Sequence, residues 1–330
     1  LLIFYEKDFY KMSKIYIGID IGGTNIKFGI FDKDLNIISK SSIEAKVESG
    51  AEVMIDRIGS HIEKIVADNN YTTEDVKAVG MGSTGQFNLT EGIMYSCPNM
   101  PLFKNVPIRK MLSDRTSKPC VIENDANTAC YGEYACGAGK GSDNMVFFTL
   151  GTGIGGGIIL DGKLVHGTED SGGELGHIII HPGGRLCGCG QRGCIEAYAS
   201  ASSTARRATE AVIACEPSSL KEVLDEKGQI TCKDVFVHAA KGDKLAEKIA
   251  DETARDLAIV CIIMRHVTEP HKFVFSGGMI AAGEPLLNAI KKHFADMIWS
   301  MKKEDVEICF AQLGEDSGII GAAALARDIK

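Results

Sequence analysis

Nowhere in this chain does an apolar run approach the roughly 18–20 residues that a bilayer-spanning helix needs, so no membrane partner is expected. Low-complexity tracts are missing too. With 45% hydrophobic and 24% charged residues, fibrous and disordered classes are excluded. Basic clusters are also lacking, since 36 Lys and Arg stand against 44 Asp and Glu, for a net charge of −8. Nucleic acid is therefore not an expected partner, because neutralising phosphates takes clustered Lys and Arg. The 11 cysteines form no disulfide framework, and an odd count in a chain this long points to a reducing cytoplasm. The opening, Leu1–Tyr10, lacks the apolar core and small-residue cleavage site of a signal peptide. Residues 1–13 are set aside as an unassigned tail. A length of 330 residues favours about two domains.

What is present alternates strands with helices, the pattern of an α/β protein. Lys14–Ile21, Ile26–Phe31 and Leu35–Ser39 read as consecutive strands joined by tight turns. Ala51–Asp68 has helical spacing through Val53, Met54, Ile58, Ile62, Ile65 and Val66. Val76–Met81 and Pro119–Glu123 read as further strands, the second turning at Asn124-Asp125 into a helix through Ala135. Both residues are favoured helix caps, so capping alone would account for the pair. A glycine-dense stretch, Gly151–Gly193, fills the middle. Beyond it the chain reads as mostly helical, with Asp243–Val267, Glu284–Ile298 and Ser317–Asp328 as helices. Lys272–Ser276 and Val306–Ala311 are the strands among them. Ile19–Phe31 and Thr149–Asp161 form a weak internal repeat: strand, Gly/Thr turn, strand.

Gly151-Thr-Gly153-Ile-Gly155-Gly156 satisfies G-x-G-x-x-G, yet the glycines run into a strand where the dinucleotide fingerprint needs a helix. No P-loop pattern occurs. The remaining reading is a phosphate site built by a hairpin turn. Side-chain-free glycines let backbone N–H groups converge on phosphate oxygens, and Thr24 or Thr152 adds a hydroxyl. Two ordinary hairpins with glycine at positive φ would look the same. The duplication, and Asp20 ahead of the first turn, favour the phosphate reading, since an acid there can hold Mg²⁺ through water.

Asp20-Ile-Gly22-Gly23-Thr24-Asn25-Ile-Lys27 resembles the first phosphate motif of sugar kinases with the actin/hexokinase-type ATPase fold. Gly151-Thr152-Gly153 resembles the second, and Phe275-Ser-Gly277-Gly278 the adenosine motif. The resemblance implies two RNase H-like α/β lobes with a cleft between them. The smaller would span 14–123 plus 316–330 and the larger 124–315.

Cys187-Gly-Cys189-Gly-Gln-Arg-Gly-Cys194 brings three thiols together on a glycine-rich, easily curled backbone. Tetrahedral Zn²⁺ takes four N or S ligands, and either His177 or His181 precedes the cluster closely enough to be the fourth. With four protein ligands such a zinc would be structural. The longer string from Gly173-Glu174-Leu-Gly-His177 to Cys194-Ile-Glu196 resembles the signature of the ROK family of repressors and kinases, nearest its bacterial glucokinases. That likeness implies His177 as the zinc ligand. It also implies a sugar pocket of Asn124, Asp125, Glu174, His177 and Glu196, with Asp125 as catalytic base. ATP and Mg²⁺ would be the phosphoryl donor and its metal, a hexose the substrate and a homodimer the assembly. One departure is Gly82-Ser-Thr-Gly85-Gln86, where many relatives have Gly-x-Pro-Gly. Glucose is the expected sugar, with N-acetylmannosamine, N-acetylglucosamine or another hexose as the alternative. A sugar-responsive repressor would need a helix-turn-helix module, for which the residues before Asp20 leave no room.

Overall fold

A computed structural model describes residues 14–299 and 306–329. The tail at 1–13 and Lys330 lie outside the described residues. The chain opens with strands β1 (Ile15–Ile21), β2 (Asn25–Phe31) and β3 (Ile37–Glu44). Helix α1 (Gly50–Asp68) leads into β4 (Val76–Ser83) and a short hairpin of β5 (Gln86–Asn88) and β6 (Ile93–Ser96). Then come α2 (Ile108–Thr116), β7 (Cys120–Asn124) and α3 (Asp125–Cys136). A second run of strands is β8 (Met145–Leu150), β9 (Ile154–Leu160) and β10 (Lys163–Leu164). Helices α4 (Glu196–Ala199), α5 (Ala201–Ile213), α6 (Leu220–Lys227), α7 (Cys232–Ala240) and α8 (Lys244–Val267) follow. The last elements are β11 (Lys272–Ser276), α9 (Glu284–Met297), β12 (Glu307–Phe310) and α10 (Ser317–Arg327). Among the described residues no helix is long and apolar enough to cross a membrane.

Packing divides the chain into two compact units, one running to Gly132 and resuming at Asp316, the other Glu133–Glu315. The expected division after residue 123 thus moves to Gly132. The reason is pairing across the sequence: β7 pairs in parallel with β4, and α3 leaves directly from its end. Gly132 then lies so close to Ser317 and Gly321 that a Cβ there would sit 2.5 Å from the Ser317 carbonyl oxygen.

In the first unit the sheet order is β3-β2-β1-β4-β7, antiparallel through the hairpins and parallel from β1 onward. Strand alternation sorts its two faces. Ile17, Ile19, Val79 and Met81 share a core with Met54, Ile55, Ile58 and Ile62 of α1. Gly18 and Gly80, on the opposite face, let the small-residue helix α10 lie directly on the sheet. A Cβ on Gly80 would overlap the Ala322 carbonyl oxygen, and one on Gly18 that of Ile319. Gly80→Ala is therefore expected to destabilise this unit by about 3 kcal/mol, because helix backbone rather than a flexible side chain must yield. Denaturant unfolding with an unchanged midpoint would contradict this.

Two local expectations shift. Val53 is 48% exposed and off the core face of α1; Ile55 takes its place. The third strand begins at Ile37, since Leu35 adopts φ 64° in a turn where Asp32 Oδ1 accepts the Asp34 and Asn36 N–H groups, each at 2.9 Å.

The second unit repeats the plan: its sheet order is β10-β9-β8-β11-β12, again an antiparallel hairpin run followed by parallel strands. Val146, Phe148, Leu150, Phe273 and Phe275 bury one face against α8 and α9, with the Phe148 and Phe275 rings stacked at 5.2 Å. The weak sequence repeat is thus real at the level of topology, with β1–β2 and β8–β9 as its two hairpins.

Candidate active site

The first phosphate hairpin joins β1 to β2. Gly22 N–H donates to the Asn25 carbonyl at 3.0 Å, closing the turn and leaving Gly23, Thr24 and Asn25 exposed. Cross-strand register sets Asp20 opposite Lys27. Burial, then the nearby Asp125 carboxylate, push the Asp20 pKa above the ordinary aspartate value, and Lys27 offsets this only in part. Asp125 therefore sits within electrostatic reach of Asp20, at the base of the first hairpin.

Asn124 and Asp125 occupy the β7–α3 junction. Capping is realised: Asn124 Oδ1 accepts the N–H groups of Ala126 at 2.9 Å and Asn127 at 3.3 Å. Beneath the turn lies Glu123, only 3% exposed, a residue that sequence reasoning passed over. Its Oε1 accepts the Asn124 N–H at 2.8 Å and the Asn127 side-chain amide at 3.1 Å. Asn127 Oδ1 is itself buried without a hydrogen-bond partner. The signal was available in the run Glu123-Asn124-Asp125-Ala126-Asn127, where an acid and an amide four residues apart can meet at a helix start. In the loop after β4, Gly85 holds φ 133° and Thr84 Oγ1 lies 3.3 Å from Cys97 Sγ. The Asn99 amide also donates to Thr84 Oγ1, at 3.5 Å.

In the second unit, the Gly151–Gly153 turn leads into strand β9, as the objection to a dinucleotide site required. Gly151 N–H donates to the Gly153 carbonyl at 3.0 Å, and Thr152 is exposed. Ile154 N–H donates to Glu196 Oε2 at 2.9 Å, and Ala201 N–H to the Gly151 carbonyl at 2.9 Å. Gly277, at φ 89°, brings the expected adenosine motif to this hairpin: a Cβ there would stand 2.5 Å from the Leu150 carbonyl oxygen. Gly278 follows it, exposed.

The cysteine loop closes as its glycines allow. Cys187 N–H donates to the Gln191 carbonyl at 2.8 Å, and single bridges link Ile179 with Cys194 and Leu186 with Arg192. One ligand atom from each of His177, Cys187, Cys189 and Cys194 lies within 4.8 Å of the others. Cys187 Sγ is 3.7 Å from His177 Nδ1, and Cys189 Sγ is 3.7 Å from Cys194 Sγ. Zn–S bonds of about 2.3 Å in a tetrahedron place sulfurs about 3.8 Å apart, so the donor set and its spacing fit zinc. His181 is committed elsewhere. Its Nε2 meets the buried Asp256 carboxylate at 3.1 Å and its ring packs on Tyr198 at 4.5 Å. In the thiol form, burial pushes Cys187 up to about 12, while the Gln191 backbone N–H draws the exposed Cys189 down to about 7. Glu174 is exposed and caps the 3₁₀ turn Leu175–His177, its carbonyl accepting the His177 N–H at 3.1 Å.

The expected site residues thus gather within each unit. Asp20, the first hairpin, Asn124 and Asp125 belong to one; the second hairpin, Gly277, Glu174, Glu196 and the His/Cys cluster belong to the other.

Duplicated hairpin sheets with phosphate-type turns define the two-lobed actin/hexokinase class of α/β proteins. A structure of a ROK hexokinase from Thermus thermophilus matches with a TM-score of 0.81 at 30% identity, covering 94% of this chain and 97% of that one. A ROK family glucokinase from Streptomyces griseus, solved in complex with glucose and AMPPNP, matches with a TM-score of 0.75 at 35% identity, covering 96% and 100%. The glucokinase of Thermotoga maritima is 36% identical over 94% of this chain and 97% of its own length. The ROK family profile matches residues 16–329, and the chain belongs to that family.

Proposed function

We propose that this protein is a glucokinase, transferring the γ-phosphoryl group of ATP to the 6-hydroxyl of glucose. At the coarser level, the chain is an ATP-dependent sugar kinase. The observation that carries the glucose reading is the full-length likeness to the glucokinase solved with glucose and AMPPNP.

Phosphoryl transfer passes through a loose transition state, so catalysis is mostly positioning and charge neutralisation. In this reading Asp125 orients the sugar hydroxyl and takes its proton, and the Glu123 and Asn124 hydrogen bonds fix the turn that carries it. Backbone N–H groups of Gly23 and Thr24 in the first turn and of Thr152 and Gly153 in the second, with the Thr24 and Thr152 hydroxyls, hold the phosphates, and Lys27 adds positive charge beside them. Asp20 would hold Mg²⁺ through water, and the ion would supply charge neutralisation for the phosphates there. Gly277 and Gly278 leave room for the adenosine. Asn124, Glu174, His177 and Glu196 exchange hydrogen bonds with sugar hydroxyls. His177, Cys187, Cys189 and Cys194 would hold a structural zinc, and that ligation would fix the orientation of His177. The family likeness further supports a homodimer working in the cytoplasm.

The test is kcat/KM with Mg-ATP for glucose, mannose, fructose, N-acetylglucosamine and N-acetylmannosamine. Glucose is expected to lead. Preference for an acetylated sugar would overturn the glucose assignment while keeping the kinase.

A further inference from the structure

The segment from Cys194 to Ala201 touches both the His/Cys cluster and the second phosphate hairpin. Ile195 is fully buried, with its N–H on the Ile178 carbonyl at 2.9 Å, so the segment has a fixed anchor. Glu196 then divides its carboxylate. Oε2 accepts the Ile154 N–H at 2.9 Å, at the point where the turn becomes β9. Oε1 lies 3.4 Å from Cys187 Sγ, which donates to it only as the metal-free thiol. Gly153 has no room for a Cβ because Glu196 Oε2 fills the space. At the far end of the segment, Ala201 N–H holds the Gly151 carbonyl at 2.9 Å. The turn is thus gripped on both sides by residues that continue from a metal-ligand position.

We propose that Glu196 is a positioning residue that couples the His177–Cys187–Cys189–Cys194 cluster to the second phosphate hairpin, so that metal loading governs nucleotide affinity as well as the sugar site. This rests on the kinase reading above. A carboxylate beside a phosphate turn contributes repulsion if it acts through charge alone. Its favourable contribution lies in fixing the Thr152 and Gly153 backbone N–H groups, between the tied Gly151 and Ile154, before the nucleotide arrives. That fixing depends on where the ligand position Cys194 and the buried Ile195 beside it set the start of α4, and with it Glu196.

The experiment is calorimetric titration of Mg-AMPPNP, without sugar, into zinc-loaded and chelator-stripped forms of the full chain and of Glu196→Ala. Zinc content and circular dichroism are recorded on each sample. Stripping the unsubstituted protein is expected to weaken AMPPNP binding about tenfold, within the usual range of coupling between sites. Loaded Glu196→Ala should show a similar loss, and stripping it should add nothing further. Equal or tighter binding by loaded Glu196→Ala overturns the proposal, as does an equal loss on stripping both proteins. Should stripping unfold the chain, amide exchange on the zinc-loaded pair decides. Faster exchange at Ile154 in Glu196→Ala supports the coupling, and unchanged exchange overturns it. Absence of AMPPNP binding in every sample, the loaded parent included, would refute the kinase reading and this inference with it.

Discussion

Asp125→Asn is expected to lower kcat by about 10²–10⁴-fold, the range for removing a positioned general base. Sugar and nucleotide affinities should change little, because asparagine keeps the shape and the side-chain oxygen that accepts the Ala126 N–H at 3.0 Å. The same substitution has a pH signature. The Asp125 charge is one of the causes that raise the Asp20 pKa, so deleting it makes Asp20 ionise at lower pH. If Asp20 must be ionised to hold Mg²⁺, the acidic limb of the residual activity moves down the pH scale. An unmoved limb together with full kcat would remove Asp125 from the mechanism.

Loss of the metal should produce the second large effect. Cys194 is fully buried, and Cys194→Ser removes a thiolate whose site has no solvent substitute. Zinc content is expected to fall from about one to near zero per chain, with a drop of roughly 5–10 °C in thermal midpoint. Glucose affinity should weaken by about 10–100-fold, because on the proposed reading His177 would lose the ligation that orients it. Metal analysis, calorimetry and glucose titration check this. A protein that keeps its midpoint and its glucose affinity without zinc would contradict the structural role assigned to the cluster. The fold carries separate cores beneath both sheets, so the variant should remain folded enough to be titrated.

Much of this was readable from residues because hairpins and cluster ligands are local. Ile19–Phe31 and Thr149–Asp161 carry their own strand and turn signals, and both form the hairpins expected of them. Cys187, Cys189 and Cys194 are separated by glycines that curl the loop whatever surrounds it. Choosing between His177 and His181 from local sequence was another matter. The decision comes from Asp256, a buried carboxylate on α8 that captures His181 and is remote in sequence. Likewise, nothing local says that Glu123 will turn inward under the Asn124 turn, or that Val53 falls off the core face of α1 while Ile55 lies on it. The unit boundary moved from residue 123 to Gly132 because strand pairing and close helix contact, both long-range, hold Asn124–Gly132 to the first sheet. Glu196 shows the limit most clearly. Its presence beside the cysteines was legible, whereas its hydrogen bond to Ile154 exists only once the hairpin has folded against α4.

The central claim is transfer of phosphoryl from ATP to one particular oxygen of a hexose. Its most direct test is phosphorus and carbon NMR of the product made from Mg-ATP and uniformly labelled glucose, with Asp125→Asn run alongside. The account predicts a single monophosphate on the C6 oxygen, formed by the parent and nearly absent from the variant. Phosphate on another oxygen, free phosphate alone, or equal product from both proteins would contradict it.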